Sequence, residues 1–189
     1  KKSLVICVTG SSGKTTLKDW IGKVLSRKFK TYNNPGNFNN DIGMPLSLIN
    51  MPKDTEICIL ELGMNRKGEI KKLSRIARPN ISIITNIGFA HYQNFERLDA
   101  VAFEKSQIFS FLENQDTAFI PLNSEFYEML KKKAKNRTNR IYTFGDKDEP
   151  DFKILKQQKS ELNNFSIQGK NISLKRKTTF NNWENNVLI

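Results

Sequence analysis

Cysteine and histidine are scarce in this chain, which has two cysteines and one histidine among its 189 residues. Cys7 and Cys58 each stand inside an apolar, strand-like stretch. A cysteine in such a stretch usually serves as a small buried hydrophobic side chain, so we expect two free thiols rather than a disulfide or a metal site. Buried free thiols fit a reducing compartment, and we predict a cytoplasmic location.

Hydrophobic runs long enough to cross a membrane are also missing. A spanning helix needs roughly 20 apolar residues in succession, and the sequence contains neither such a run nor a signal-peptide pattern. We therefore expect no membrane insertion, and a monomer built on one domain with a sizeable core. The chain starts at Lys1 and ends on the apolar run 187–189, and we expect both ends to be internal to a longer protein.

Acidic residues are outnumbered, with 19 Asp and Glu against 31 Lys and Arg and a net charge of +12. Such an excess can indicate a nucleic-acid-binding module, which would bind with a steep salt dependence. The basic residues are scattered, however, and the local runs at 131–133 and 175–177 are not interleaved with aromatic residues. We favour a solvated helix face and an exposed strand edge, and expect no nucleic-acid partner. A polyanionic small substrate would still be attracted.

The run over residues 8–16, Val-Thr-Gly-Ser-Ser-Gly-Lys-Thr-Thr, directly follows an apolar strand-like stretch. Strand, glycine-containing loop, Lys-Thr and helix in this order indicate a phosphate-binding loop (P-loop). Lys14 would reach the β- and γ-phosphates, and the Thr15 hydroxyl would bind magnesium. Because Val8 replaces the usual first glycine, the loop is a variant of the common pattern. The alternative is a glycine-rich turn that merely contains a lysine. The predicted nucleotide-binding residues are Gly10, Ser11, Ser12, Gly13, Lys14, Thr15 and Thr16.

Strand-like and helix-like stretches alternate up to residue 145. We predict strands over 4–9, 56–62, 81–86, 117–121 and 140–144, and helices over 14–26, 45–49, 68–77, 98–112 and 125–134. The strands are nearly continuous apolar runs, which is typical of strands buried on both faces. The predicted fold class is therefore α/β, with a P-loop and a mainly parallel sheet covered by helices on both faces.

Beyond residue 145 the pattern changes to alternating stretches at 152–155, 164–167 and 171–174, separated by polar turns. These stretches predict a small antiparallel β subdomain near the C-terminus. We therefore divide a single domain over 1–189 into a parallel α/β core over 1–145, an antiparallel β appendage over 146–180 and the start of a helix over 181–189.

Three further residues stand where they could reach the loop. Glu61 ends a strand, so its carboxylate would face the crevice where α/β sheets bind ligands and could hold magnesium. The alternatives are a buried carboxylate paired with a lysine or arginine, or a turn residue at the strand end. His91 follows the strand at 81–86, which favours a metal or phosphate role, although a lone histidine is usually structural. Lys105 lies on a largely apolar helix, where snorkelling to solvent or an i,i+4 ion pair is the simpler interpretation.

Several motifs, in this order, resemble the central domain of the Mur ligases over about residues 4–145. The segment Gly-Asn-x-Asn-Asn-x-Ile-Gly-x-Pro is most similar to the MurF branch, which adds D-alanyl-D-alanine to UDP-N-acetylmuramoyl-tripeptide during peptidoglycan precursor synthesis. The motifs are Thr-Gly-Ser-Ser-Gly-Lys-Thr-Thr at 9–16, Gly-Asn-Phe-Asn-Asn-Asp-Ile-Gly-Met-Pro-Leu at 36–46, Glu-Leu-Gly-Met at 61–64, Asn-Ile-Gly-Phe-Ala-His at 86–91 and Lys-Ser-Gln-Ile-Phe at 105–109.

The resemblance implies an ATP-dependent, ADP-forming ligase that makes an amide bond through an acyl phosphate. Its cofactors would be ATP, two Mg²⁺ ions and carbon dioxide held as a lysine carbamate. Thr15 and Glu61 would bind one magnesium ion, His91 the second, and Lys105 would be the carbamylated lysine, itself a metal ligand. Lys14, Lys105 and His91 would be the catalytic residues.

The resemblance also implies where the substrates bind. Asn37 and Asn40 match the loop near the γ-phosphate and the acceptor substrate. The small-molecule partners would be UDP-MurNAc-tripeptide, D-Ala-D-Ala and ATP. In the family, the sugar-peptide and amine sites lie on N-terminal and C-terminal domains, which residues 1–189 do not include.

Two motifs depart from the family pattern. Where the family has Ala-Lys-Gly-Glu, this chain has Glu104 before Lys105 and Ser-Gln after it. The adenine-contacting His-Asn-x-x-Asn becomes Asn-Trp-Glu-Asn-Asn at 182–186, so we expect Asn186, and less strongly Asn182, beside adenine.

Other functions stay open on the sequence. Another Mur ligase or a folylpolyglutamate-synthetase-like ligase would share the same P-loop chemistry. A P-loop NTPase switch would hydrolyse nucleotide without making an amide, but would leave His91 and Lys105 without a role.

Overall fold

A computed structural model describes residues 3–88, 95–146, 149–155, 162–167 and 170–175. The strands are β1 (Leu4–Thr9), β2 (Thr31–Asn33), β3 (Ile57–Glu61), β4 (Ile81–Ile84), β5 (Thr117–Pro121), β6 (Arg140–Gly145), β7 (Phe152–Leu155), β8 (Leu162–Ile167) and β9 (Lys170–Lys175). The helices are α1 (Lys14–Leu25), α2 (Gly43–Ile49), α3 (Glu69–Ala77), α4 (Leu98–Ser106), a 3₁₀ helix (Gln107–Phe111) and α5 (Tyr127–Lys135).

These strands form one sheet in the order β2-β3-β1-β4-β5-β6-β7-β8-β9. Neighbours from β2 to β7 pair in parallel, whereas β7–β8 and β8–β9 pair antiparallel. β1 lies between β3 and β4: the chain adds β2 and β3 on one side of β1 and then crosses to add β4 on the other side. Ligands of open α/β sheets bind at such a switch point, beyond the carboxyl ends of the strands.

Both faces of the parallel sheet carry buried apolar side chains. On one face, Ile6 and Val8 of β1 pack with Leu17 of α1. On the other face, Cys7 and Cys58 belong to a larger core that includes residues of α3, α4, the 3₁₀ helix and α5. Alternate residues of one strand thus face opposite layers, as the pleat requires. The predicted α/β fold with helices on both faces is confirmed.

The two cysteines are buried free thiols, as predicted. Burial raises the pKa of the Cys58 thiol to about 12 and also raises that of Cys7, with a smaller contribution from Cys58. Both thiols are therefore protonated side chains of the core at neutral pH.

The C-terminal strands match the predicted antiparallel subdomain only in part. β8 and β9 are antiparallel as expected, but β7 pairs in parallel with β6 and carries the main sheet onward. Alternation along a strand reports which residues face a core, not which neighbour the strand pairs with.

One predicted helix and one strand also differ from the sequence prediction. The predicted helix over 98–112 is α-helical only up to Ser106 and continues as a 3₁₀ helix from Gln107. At this junction the Ser106 hydroxyl donates to the Phe103 carbonyl at 2.6 Å. β2 was not predicted, because it is a three-residue edge strand without an apolar run.

No helix in the described part of the chain has both the length and the apolar character to span a bilayer.

Candidate functional site

The phosphate loop joins β1 to α1 and turns at two glycines. Gly10 has a φ of 154° and Gly13 a φ of 76°, conformations that residues with a side chain rarely adopt. A Cβ at Gly10 would collide with the hydroxyl of Thr85, which itself donates to the Ser12 carbonyl at 2.6 Å. The loop therefore packs directly on the carboxyl end of β4.

The backbone N–H groups of the loop fall into two sets. Those of Ser11 and Ser12 donate to Oδ1 of Asn86 at 3.1 and 3.0 Å. Those of residues 13–16 have no acceptor within the described part of the chain, as is usual for the first turn of a helix. The free N–H groups and the helix dipole make the start of α1 a candidate anion site. In the predicted phosphate cradle, the amides of Ser11 and Ser12 are thus occupied by Asn86.

Two lysine side chains converge on the loop. Nζ of Lys14 donates to the Gly10 carbonyl at 2.9 Å, and Nζ of Lys105 donates to the same oxygen at 2.8 Å. Burial lowers the pKa of Lys105 to about 7, assisted by the charge of Lys14 and opposed by Glu104. Burial likewise lowers the pKa of Lys14, opposed by Glu61. Two neighbouring cations of this kind favour an anion beside them.

Glu61 lies at the carboxyl end of β3 and is 2% exposed. Its Oε2 accepts a hydrogen bond from the Thr15 hydroxyl at 2.7 Å, and its Oε1 accepts one from Nδ2 of Asn39 at 2.8 Å. None of the salt bridges found among the described residues involves Glu61. The alternative of a structural ion pair with lysine or arginine is therefore not what the site contains.

The donor atoms at this position suit magnesium. Lys14 is close enough for the charge of Glu61 to oppose the lowering of its pKa by burial. A buried carboxylate without a direct salt bridge is still costly, however, and a metal ion would satisfy it. The Thr15 hydroxyl and the Glu61 carboxylate are the hard oxygen ligands that Mg²⁺ prefers. No group of three or more His, Cys, Asp or Glu side chains gathers among the described residues, so Thr15 and Glu61 form the candidate metal site here.

The polar segment after β2 is clamped against the site. Asn34, which is fully buried, accepts from the Glu61 N–H at 2.9 Å and donates to the Phe38 carbonyl at 2.7 Å. Nζ of Lys18, from α1, donates to the carbonyls of Asn34 at 2.9 Å and Gly36 at 3.4 Å. These contacts hold residues 34–40 beside the end of β3.

Helix α4 is fixed on two sides by adjacent residues. The buried carboxylate of Glu104 accepts from the N–H groups of Gly68 at 2.9 Å and Ile70 at 3.0 Å, at the start of α3. The side chain of Lys105, 1% exposed, points instead to the phosphate loop. Snorkelling to solvent, the simpler interpretation of Lys105, is therefore wrong. Glu104, which departs from the family motif, has a defined partner.

The structure brings together Lys14, Thr15, Glu61 and Lys105 around one end of β1. Thr16 lies in the first turn of α1. Oδ1 of Asn40 accepts from the N–H of Gly43 at 2.7 Å, where α2 begins, while Asn37 is exposed earlier in the same segment. The predicted sites at His91, Asn182 and Asn186 lie outside the described residues.

Sequence reasoning missed several residues that shape the site. Their contacts are long-range, and the only signals were the asparagine-rich turn over 33–41 and the polar residues that follow β4 directly. The missed residues are Lys18, Asn34, Asn39, Thr85, Asn86 and, as a helix cap, Glu104.

Comparison with known proteins identifies the family of this chain. The Mur ligase middle domain matches residues 8–189. The UDP-N-acetylmuramoyl-tripeptide--D-alanyl-D-alanine ligase of Bacillus subtilis is 40% identical over 166 residues, covering 87% of this chain and 35% of that protein. The ligase of the same name from Borreliella burgdorferi is 43% identical over 130 residues, covering 69% of this chain and 28% of that protein. The chain thus spans about a third of the length of these relatives.

Solved structures give the same result. A crystal structure of MurF from Acinetobacter baumannii superposes with a TM-score of 0.88 at 30% identity, over 98% of this chain and 40% of that one. MurF from Thermotoga maritima, crystallised in complex with ADP, superposes with a TM-score of 0.80 at 29% identity, over 92% and 40%. With its P-loop, its strand-end carboxylate and its buried lysine in the order that the motifs predicted, the chain belongs to the Mur ligase middle domain family.

Proposed function

We propose that this chain is the ATP-binding middle domain of a MurF-type ligase, which joins D-alanyl-D-alanine to UDP-MurNAc-tripeptide. The observation that carries the proposal is the convergence of Lys14, Lys105 and the Thr15–Glu61 pair on the start of α1. A simple phosphate-binding turn would need neither the buried lysine nor the buried carboxylate. The names of the relatives support this choice of substrates.

Each residue of the site has a distinct task in this proposal. The free N–H groups at residues 13–16 and the ammonium of Lys14 bind the ATP phosphates. Thr15 and Glu61 hold Mg²⁺, which when bound neutralises charge on the phosphoryl oxygens. Asn37 and Asn40 lie near the γ-phosphate and the acceptor substrate.

The reaction proceeds in two steps. A carboxylate oxygen of the tripeptide attacks the γ-phosphorus of ATP, the bond to ADP breaks, and an acyl phosphate forms. The amine of D-Ala-D-Ala then attacks the acyl carbon, loses a proton and expels inorganic phosphate. Positioning and electrostatic stabilisation supply most of the catalysis in phosphoryl transfer.

Lys105 is proposed to react with carbon dioxide. The neutral amine nitrogen attacks the carbon of CO₂ and releases a proton, which converts a cation into a carbamate anion able to bind metal. The pKa of about 7 supports this step, because much of the side chain is then neutral at physiological pH. His91 would bind a second Mg²⁺ ion, and Asn186, less strongly Asn182, would lie beside adenine.

The remaining parts of the proposal concern the whole protein. Residues 1–189 would form one middle domain, with a core over 1–145, a segment over 146–180 in which β7 extends the main sheet in parallel and β8 and β9 follow antiparallel, and the start of the adenine-side helix over 181–189. Flanking domains would supply the sugar-peptide and amine sites, so this chain alone would bind nucleotide with little turnover. We further propose a cytoplasmic monomer without a nucleic-acid partner.

Phosphate release by the full-length protein tests the proposal. We expect release to require UDP-MurNAc-tripeptide and D-Ala-D-Ala together, and to fall at least about 100-fold in Lys14→Ala. Lys23→Ala, on the exposed side of α1, is the matched control and should keep full activity. Release that ignores both substrates would indicate an NTPase switch, and dependence on a different amine would indicate another ligase of the family.

The carbamate has its own test. With ¹³C-bicarbonate, the wild-type protein should show a carbamate carbon resonance that disappears in Lys105→Arg and persists in the exposed-lysine control Lys71→Arg. A resonance that survives Lys105→Arg would assign the carbamate to another amine.

A further inference from the structure

We propose that Asn39 is a positioning residue that orients the carboxylate of Glu61 toward a divalent cation. The inference rests on the proposed function, which gives Glu61 that cation. Asn39 belongs to the motif at 36–46, but only Asn37 and Asn40 of that motif were given a role on the sequence.

The carboxylate of Glu61 is held at both oxygens by uncharged donors. Nδ2 of Asn39 donates to Oε1 at 2.8 Å, and the hydroxyl of Thr15 donates to Oε2 at 2.7 Å. One donor on each oxygen fixes the rotation of the carboxylate plane. A lysine or arginine in place of Asn39 would hold the group equally well but would cancel its charge. A neutral amide orients the carboxylate and leaves its charge for a cation.

The Asn39 side chain is itself placed by backbone contacts. The backbone carbonyl of Asn39 accepts from the Gly63 N–H at 2.7 Å, and the backbone N–H of Asn39 donates to the Asn37 carbonyl at 2.7 Å. One residue earlier, the Phe38 carbonyl accepts from the side chain of Asn34. The amide is therefore pre-organised against β3 rather than free to rotate away from Glu61.

Gly63 provides the space that Asn39 occupies. A Cβ at residue 63 would lie 2.7 Å from Oδ1 and 2.8 Å from Cγ of Asn39, closer than such atoms approach. Gly63→Ala should therefore displace the amide from Glu61 while both side chains of the pair stay chemically intact. The pair can thus be disturbed in two independent ways.

The test measures cation binding directly. In the full-length protein with the β,γ-imido analogue of ATP, the dissociation constant of Mn²⁺ is titrated by electron paramagnetic resonance. Glu61→Gln and Asn39→Leu should each weaken Mn²⁺ binding by roughly 10- to 100-fold, and Gly63→Ala by a smaller factor. Binding of the analogue in EDTA should be unchanged in Asn39→Leu and Gly63→Ala.

Asn80→Ala is the matched structural control. Asn80 also bridges by its side chain, accepting from the Val5 N–H at 3.0 Å and donating to Asp116 at 3.1 Å, but it lies at the amino end of β4, away from the site. This variant should lose stability without a change in Mn²⁺ affinity.

The outcomes separate the inference from the function. Normal Mn²⁺ affinity in Asn39→Leu and Gly63→Ala, with loss in Glu61→Gln, would overturn the inference alone. Normal affinity in Glu61→Gln would overturn the metal assignment and the inference with it. Equal loss of metal-free and metal-dependent binding in Asn39→Leu would make its role merely structural. If Asn39→Leu does not fold, Gly63→Ala decides.

Discussion

At the scale of single residues, the site contains one strained backbone conformation and two buried ionisable side chains, each of which is energetically unfavourable by itself. Gly10 adopts a backbone conformation that other residues avoid, Lys105 is a buried amine, and Glu61 is a buried carboxylate without an ion pair. Each state costs stability that the rest of the fold offsets. Such states concentrate where a charged ligand is to be bound.

Lys105 makes folding stability depend on pH. Its folded pKa of about 7 lies below the unfolded value near 10.5, so the unfolded state binds more protons between these values. Stability should rise with pH across that window, by about 1.4 kcal/mol per pH unit. In urea titrations in CO₂-free buffer, the free energy of unfolding of wild type minus that of Lys105→Met should increase from pH 7 to 10. A difference that stays flat would mean that Lys105 titrates normally.

Gly10 should be intolerant of a side chain. Gly10→Ala combines the positive φ with a collision against Thr85, and we expect a loss of about 1–3 kcal/mol in unfolding free energy together with weaker ADP binding. Gly36→Ala is the control, because Gly36 also has a positive φ but a Cβ there meets no atom within 4 Å. Equal ADP affinities in the two variants would contradict the packing of the loop on β4.

At the scale of elements, α4 connects the phosphate loop to α3. Its residues 104 and 105 face different neighbours, so the cap on α3 and the lysine at the loop depend on the same helix position. We therefore expect a substitution that disturbs the Glu104 contact with α3 to shift Lys105 at the phosphate loop as well, and the reverse.

Glu104→Gln tests this connection. The variant keeps one acceptor but loses the charge that a helix N-terminus favours, so we expect a loss of roughly 1.5–3 kcal/mol in unfolding free energy. Glu69→Gln, which removes a carboxylate that accepts from the exposed N–H groups of Asn65 and Arg66, should cost about 0.5 kcal/mol. Both are measured by urea denaturation. Similar losses in the two variants would show that burial of the Glu104 cap contributes nothing.

At the scale of the whole molecule, one sheet carries the site at its centre. β1 and β3 are buried under both helical layers, and the strand ends that hold the phosphate loop and Glu61 move only if the core moves. The strand ends at the site therefore belong to the most buried part of the described fold, which we expect to open last.

The two thiols report on that core. Cys7 and Cys58 are fully buried in β1 and β3, so labelling by a water-soluble disulfide reagent should require global unfolding and proceed at one common rate. A cysteine introduced at the exposed position Asn65 should react at once. Rapid native-state labelling of either natural thiol would show that the centre of the sheet opens locally.

The sequence by itself determined the α/β class, the phosphate loop and the order of the motifs. These features are local: an apolar run, a pair of glycines and a Lys-Thr pair act within a few residues of one another. It also identified Glu61 and Lys105, because each belongs to a motif that resembles the family.

Only the tertiary structure decided what these residues contact. Asn39 reaches Glu61 across 22 positions of the chain, Asn86 reaches the loop amides across 74, and Lys105 reaches Gly10 across 95. Pairing of β7 with β6 spans only about eight positions of the chain, but alternation along a strand does not specify which neighbour it pairs with. Local pattern specifies periodicity and turns, whereas these contacts arise when strand order brings distant segments to one edge of the sheet.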